Sequence, residues 1–151
     1  MDYSLFIDYS LFTDILARLV TAVALGGLVG FERQLHGRWA GIRTHMAVSM
    51  GASIFTFAGL KIASGSPEET TRVIQGVAAG VGFLGAGTIL KLSDQLEVKG
   101  LTTASSIWLS AALGTAAGLA MYPLAVAATF VALLVLALLR PLEKWVDQRT
   151  Q

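Results

Sequence analysis

The chain has 151 residues, 54% hydrophobic and 14% charged, with a formal net charge of +1 and a mean hydropathy of +0.66. Soluble domains carry about 25% charged residues, so the apolar excess is expected to face lipid, and the near-neutral balance gives no nucleic-acid signal. With no cysteine in the chain, disulfide and thiolate-metal chemistry are excluded.

The amino-terminal stretch MDYSLFIDYSLFTD carries Asp2, Asp8 and Asp14 and neither Lys nor Arg. It lacks the basic region of a secretory signal peptide, so the first apolar run is expected to be retained. The pentamer DYSLF occurs at 2–6 and 8–12, and two copies at that spacing cannot build a solenoid. A helix needs about 20 largely apolar residues to cross a core of about 30 Å. Five segments approach that length, at roughly 12–30, 44–62, 73–90, 101–119 and 121–139. A membrane barrel would show alternating polarity, which FVALLVLALL at 130–139 lacks. The expected fold is an all-α polytopic membrane bundle of about five helices, forming one domain over 1–151.

The joins are FERQLHGRWAGIR, ASGSPEETTR, KLSDQLEVKG and a very short turn at Met121–Pro123. That last turn makes spans four and five a tight hairpin, with Pro123 in the first turn of span five. Lys and Arg set orientation. With the amino terminus outside, the inner segments hold Arg33, Arg38, Arg43, Lys91, Lys99, Arg140, Lys144 and Arg149, against Lys61 and Arg72 outside. The carboxyl terminus is therefore expected in the cytosol.

Transmembrane helices approach closely through small residues. Span one has Ala22, Gly26 and Gly30; span three has Gly76 and Gly80, with Gly82, Gly85 and Gly87 on other faces; span four has Ser110, Gly114 and Gly118. This pattern predicts a central third span and, because span five lacks glycine, a lipid-facing fifth. A literal G-x-G-x-x-G at Gly80, Gly82 and Gly85 lies in an apolar segment without a strand–helix context, so it predicts packing rather than a dinucleotide site.

Asp14 and Arg18 stand four residues apart on one helix face, acid first. They read either as a neutralising intramembrane ion pair or as a cation or proton site. At the cytosolic face, the amino termini of spans two and four present unpaired N–H groups and positive dipole ends. Arg43 and Lys99 precede those ends, where a cation needs an anion nearby. Glu32 has the complementary problem at the end of span one, so pairing with Arg43 or Lys99 is expected. The result is a polar cluster of Glu32, Arg33, Arg43, Thr44, Lys99, Thr102 and Thr103.

Magnesium prefers carboxylate and water oxygens, and the proposed spans hold one carboxylate, Asp14. His36 and His45 do not have helical metal-ligand spacing. No metal site, cofactor or catalytic constellation is expected, and Thr103, Ser105 and Ser106 read as interhelical hydrogen-bond donors.

Four blocks carry a resemblance: GGLVGFERQ at 26–34, AGIRTH at 40–45, GVGFLGAGTIL at 80–90 and VKGLTTASSIW at 98–108. In this order, within a match from about Leu25 to Pro141, they resemble the MgtC/SapB family of bacterial inner-membrane proteins. Glu32 and Arg33 fall on the family's Glu-Arg pair. Gly41, Arg43 and Thr44 fall on its Gly-x-Arg-Thr element, and Lys99 with Gly100 to Thr103 on its basic-Gly-Leu-Thr block. The resemblance implies a role in growth under magnesium limitation and, in pathogens, in survival inside host cells. For the namesake branch it implies inhibition of the rotary ATP synthase rather than magnesium transport. Longer members continue into a soluble cytosolic domain, whereas ten residues follow Pro141 here; a short member is expected, and the sequence does not decide whether the virulence role applies to it.

The favoured expectation is a non-enzymatic inner-membrane regulator that engages the bilayer and another membrane protein, an ATP synthase or a transporter, or forms a homo-oligomer. The alternatives are a transporter or channel for magnesium or another small ion, and an anion or lipid-headgroup sensor acting through Arg33, Arg43 and Lys99. Orientation is directly testable. A green fluorescent protein fused after Gln151 is expected to fluoresce and an alkaline phosphatase fused there to stay inactive; the reverse pair would invert the topology.

Overall fold

A computed structural model describes residues 9–64, 66–91 and 98–150. The first DYSLF copy, Asp8 of the second and most of the third join lie outside the described residues. Five helices follow one another: α1 (Tyr9–Leu35), α2 (Ile42–Ile62), α3 (Pro67–Ala86), α4 (Leu101–Gly118) and α5 (Tyr122–Thr150). Between α3 and α4, β1 (Leu90–Lys91) and β2 (Val98–Lys99) form a short antiparallel pair with Leu90 opposite Lys99. The protein is an all-α bundle, and each expected span falls on a helix.

The helix ends differ from the apolar runs where polar chemistry sets them. α1 continues to Leu35, which carries Glu32 and Arg33 into its last turns. α3 starts at Pro67, because Ser66 Oγ accepts the Glu69 N–H at 3.5 Å, proline fits the first turn, and Glu68 and Glu69 suit the positive dipole end. α1, α2 and Tyr122–Leu139 of α5 are long and apolar enough to cross a membrane. α3 and α4 are not among them. Glu68, Glu69 and Arg72 lower the apolarity of α3, and Thr102, Thr103, Ser105, Ser106, Ser110 and Thr115 that of α4.

The largest interfaces join α2 to α1 and to α4. Glycine makes both possible. A Cβ added to Gly26 would lie 2.6 Å from the His45 carbonyl oxygen, and one on Gly30 would lie 2.7 Å from Ile42 Cα. From the other side, a Cβ on Gly114 would overlap the Ser49 carbonyl oxygen, and one on Gly118 would come within 2.8 Å of the Ser53 oxygen. Backbone cannot yield as a flexible side chain can, so α1 and α4 clamp α2 main chain against main chain.

The third span is not central. α3 flanks α2 and α4, and a Cβ at Gly76, Gly80 or Gly82 would meet nothing within 4 Å. A Cβ on Gly85 would lie an ordinary 3.5 Å from Ala104 of α4, and one on Gly87 would meet only carbonyls of its own helix end. The glycine pattern misled because small residues allow close approach without showing which helix makes it. α5 packs against α1 and α4, closing a cluster of Leu25, Val29, Leu113, Ala116 and Ala125. Its outer face exposes Phe130, Val131, Val135 and Leu138, as a lipid-facing helix requires.

Gly114→Ala should destabilise the bundle by about 1–3 kcal/mol through overpacking, whereas Gly80→Ala should stay within about 1 kcal/mol of wild type. Thermal unfolding in detergent would check this, and equal losses at the two positions would refute the clamp.

Candidate functional site

Polar groups collect at three levels of the α1–α2–α4 core. At the end where α1 finishes, Glu32 and Arg33 are 8% and 3% exposed. Glu32 Oε1 lies 2.7 Å from His36 Nδ1, and Glu32 Oε2 lies 3.8 Å from Arg33 Nη1. His36 Nδ1 also lies 2.8 Å from the Glu32 carbonyl. Both of its neighbours are acceptors, so Nδ1 carries a proton. A carboxylate near a helix carboxyl terminus is disfavoured, and these two partners offset that cost.

The expected pairing of Glu32 with Arg43 or Lys99 is replaced by pairing along its own helix. Arg43 and Thr44 are exposed. His45 turns into the bundle, and Arg43, two positions earlier on the same helix, points away from it. The rest of the expected cluster divides between two adjoining pockets that share Arg38 and Thr102. Glu32, Arg33 and Thr102 line a cavity of about 80 Å³ with His36, Arg38 and Leu136. Lys99, Thr102 and Thr103 line an adjoining cleft of about 380 Å³ with Arg38, Trp39 and Gly100.

The middle level went unread in the sequence. His45, Ser49, Ser53 and Thr56 are fully buried along one face of α2, and their spacing of four, four and three residues is the helical signal that marks this face. His45 Nδ1 donates to the Gly41 carbonyl at 2.9 Å, leaving Nε2 as acceptor for the Ser106 hydroxyl at 3.1 Å. Ser106 Oγ also lies 2.9 Å from the Thr103 carbonyl. One hydroxyl proton thus faces two acceptors. The hydroxyls of Ser49, Ser53, Thr56 and Ser110 have no hydrogen-bond partner among the described residues.

At the opposite end, Asp14 and Arg18 form the expected pair at 3.0 Å. Arg18 also donates to the Gly118 carbonyl and sits 4.9 Å from the centre of the Phe57 ring. A guanidinium at the carboxyl end of α4 complements that helix dipole, so this pair ties three helices together. No three His, Asp or Glu side chains converge among the described residues in a way that would hold a metal ion.

A model of the MgtC family matches residues 19–145. The chain is 41% identical to protein SrpB of Synechococcus elongatus over 143 residues, covering 87% of this chain and 79% of that protein. It is 46% identical to protein MgtC of Brucella abortus over 127 residues, 83% of this chain and 51% of that one. It is 38% identical to protein MgtC of Salmonella typhimurium over 130 residues, 86% of this chain and 54% of that one. The chain thus spans about half the length of the MgtC relatives it matches. No solved structure matches it.

His45→Leu, which removes both ring hydrogen bonds while keeping the bulk, should cost about 1–2 kcal/mol, the upper range for interhelical hydrogen bonds. Arg43→Gln should change stability by less than about 0.5 kcal/mol. Denaturant titration of the purified protein separates the two, and a larger loss at Arg43 would contradict the placement of both side chains.

Proposed function

Because this chain belongs to the MgtC family, we propose that it is a non-enzymatic regulator in the bacterial inner membrane, acting by docking against another membrane protein. The Lys and Arg bias read from the sequence supports an external amino terminus and a cytosolic carboxyl terminus. The family supports a link to magnesium limitation, with a rotary ATP synthase as the partner class.

One observation carries the docking reading. Glycine costs a helix about 1 kcal/mol relative to alanine, and on α1 and α4 that cost is offset by main-chain contact with α2. Gly76, Gly80 and Gly82 of α3 have no such contact. Beside them runs an apolar groove of about 600 Å³ between α2 and α3, lined by Gly51, Phe55, Val73, Gly76, Gly80 and Leu84. A partner helix laid there would make these glycines useful. The close main-chain packing of α1 and α4 on α2 also argues against a pore through the single chain.

A second reading, a small-ion transporter, rests on the buried hydroxyls of Ser49, Ser53, Thr56 and Ser110, whose unused hydrogen-bonding capacity suits a transient polar path. Ion flux into proteoliposomes that disappears in the Ser49→Ala, Ser53→Ala double variant would favour it. Affinity purification from native membranes is expected to recover ATP-synthase subunits, and to lose them with Gly76→Leu and Gly80→Leu. Recovery of the protein alone, together with unchanged proton-driven ATP synthesis in inverted vesicles, would sink the regulator reading.

A further inference from the structure

The groove between α2 and α3 narrows to a contact at one end and opens at the other. Where the short join leads from Ile62 to Pro67, the helices touch: a Cβ added to Gly59 would lie 2.6 Å from a Val73 methyl carbon. Farther along, a Cβ on Gly51, Gly76 or Gly80 would meet nothing within 4 Å, and the walls part around about 600 Å³. The two helices run antiparallel past this space. Gly51 stands eight residues before Gly59, and Gly80 seven after Val73. At about 1.5 Å per residue, the two glycines therefore lie at one level on opposite walls of the groove.

Elsewhere in the bundle a single glycine brings its helix onto α2: Gly30 onto Ile42, and Gly114 onto Ser49. Here both walls are small, since Ala52 lines the groove beside Gly51. Glycine weakens a helix unless close approach offsets it, and the approach that uses Gly51, Gly76 and Gly80 together is that of wall to wall. Little ties α3 elsewhere. Its side-chain hydrogen bonds and its ion pair stay within the helix and its Ser66 cap among the described residues. On its α4 side, a second cleft of about 350 Å³ runs beside Gly82, Ser105 and Trp108. By contrast, α1, α2 and α4 are joined by main-chain contact and by the His45 and Arg18 hydrogen bonds.

We infer that α3 is a lid. Pivoting at the Gly59–Val73 contact, it swings towards α2, sets Gly76 and Gly80 against the main chain around Gly51 and Ala52, and closes the groove. This is hinge closure of one helix on a rigid three-helix frame. Phe55, the largest side chain lining the groove and 66% exposed, is the wedge: its ring must turn out to the lipid before the walls meet. The regulatory meaning rests on the docking reading. A closed lid leaves no room for a partner helix, so closure and docking compete for the same face, and a partner shifts the balance towards the open form.

The chain has no cysteine, so introduced pairs can be spin-labelled cleanly. The full chain carrying Met50→Cys and Phe83→Cys, two exposed positions on α2 and α3, is placed in lipid nanodiscs and its label distances are measured by double electron–electron resonance. Met50→Cys with Leu28→Cys, across the α1–α2 clamp, is the reference pair. The 50–83 pair is expected to show a shorter-distance population that Gly80→Leu, which fills the groove, depletes severalfold and Phe55→Ala enriches severalfold. The 28–50 distance should stay single and unchanged in every variant. Gly80 borders open space, so Gly80→Leu is expected to fold, and Phe55→Ala gives an independent answer if it does not. A 50–83 distance that neither variant alters, or changes of the same size in the 28–50 pair, would overturn the lid. No partner is needed for this measurement. A lid that moves in a protein recovering no partner from membranes would keep the motion and sink the docking reading; a fixed α3 sinks the lid whatever is recovered.

Discussion

Main-chain contact between α2 and its two neighbours governs the rest of this protein. Gly26 and Gly30 on one side, and Gly114 and Gly118 on the other, bring helix axes close enough for Cα atoms to rest on carbonyls. At that separation the small hydroxyls of Ser49, Ser53 and Thr56 can lie between the helices without larger side chains filling the space. A polar face on α2 would be costly against lipid. Enclosed on both sides, it becomes the interior of the bundle, and the bulky apolar residues are left to face outward.

The same clamp places the polar ends. Because α1 and α4 both lie against α2, the last turns of α1 come beside the first turn of α4. Glu32 and Arg33 then share a cavity with Thr102, and Arg38 reaches the cleft of Lys99 and Thr103. At the other end, Arg18 of α1 meets the final carbonyls of α4. Arg18 of α1 thus complements the carboxyl-terminal dipole of α4, while Arg38, in the join after α1, and Lys99, at the end of β2, lie near its amino terminus.

Helix number, the Asp14–Arg18 pair and the outward face of α5 were legible in the sequence, because length, i to i+4 spacing and unbroken apolarity are local properties. The place of α3 was not. Its glycines are as numerous as those of the true interfaces, and only the fold separates Gly114, pressed on Ser49, from Gly80, facing open space. The site was half legible. Glu32 and Arg33 share one cavity with Thr102, and Lys99 and Thr103 line the cleft beside it, whereas Arg43 is exposed and Arg38 lines both. His45 was dismissed as a metal ligand, although its spacing to Ser49, Ser53 and Thr56 marks a buried face. That signal is weaker than charge, because serine and threonine are tolerated on lipid-facing surfaces as well.

The contacts of Arg18 and His45 have a consequence for the order of synthesis. Arg18 and Gly118 are 100 residues apart, and His45 and Ser106 are 61 apart. At about 5–20 residues per second, on the order of 5–20 seconds pass between translation of Arg18 and translation of its acceptor. Through that interval Asp14, one helical turn away, is the counter-ion already made. α1 and α2 can associate early through Gly26 and Gly30, but the buried face of α2 remains open on one side until α4 arrives. The nascent chain thus passes through a stage in which its most polar helix surface must be shielded by something other than its own fourth helix.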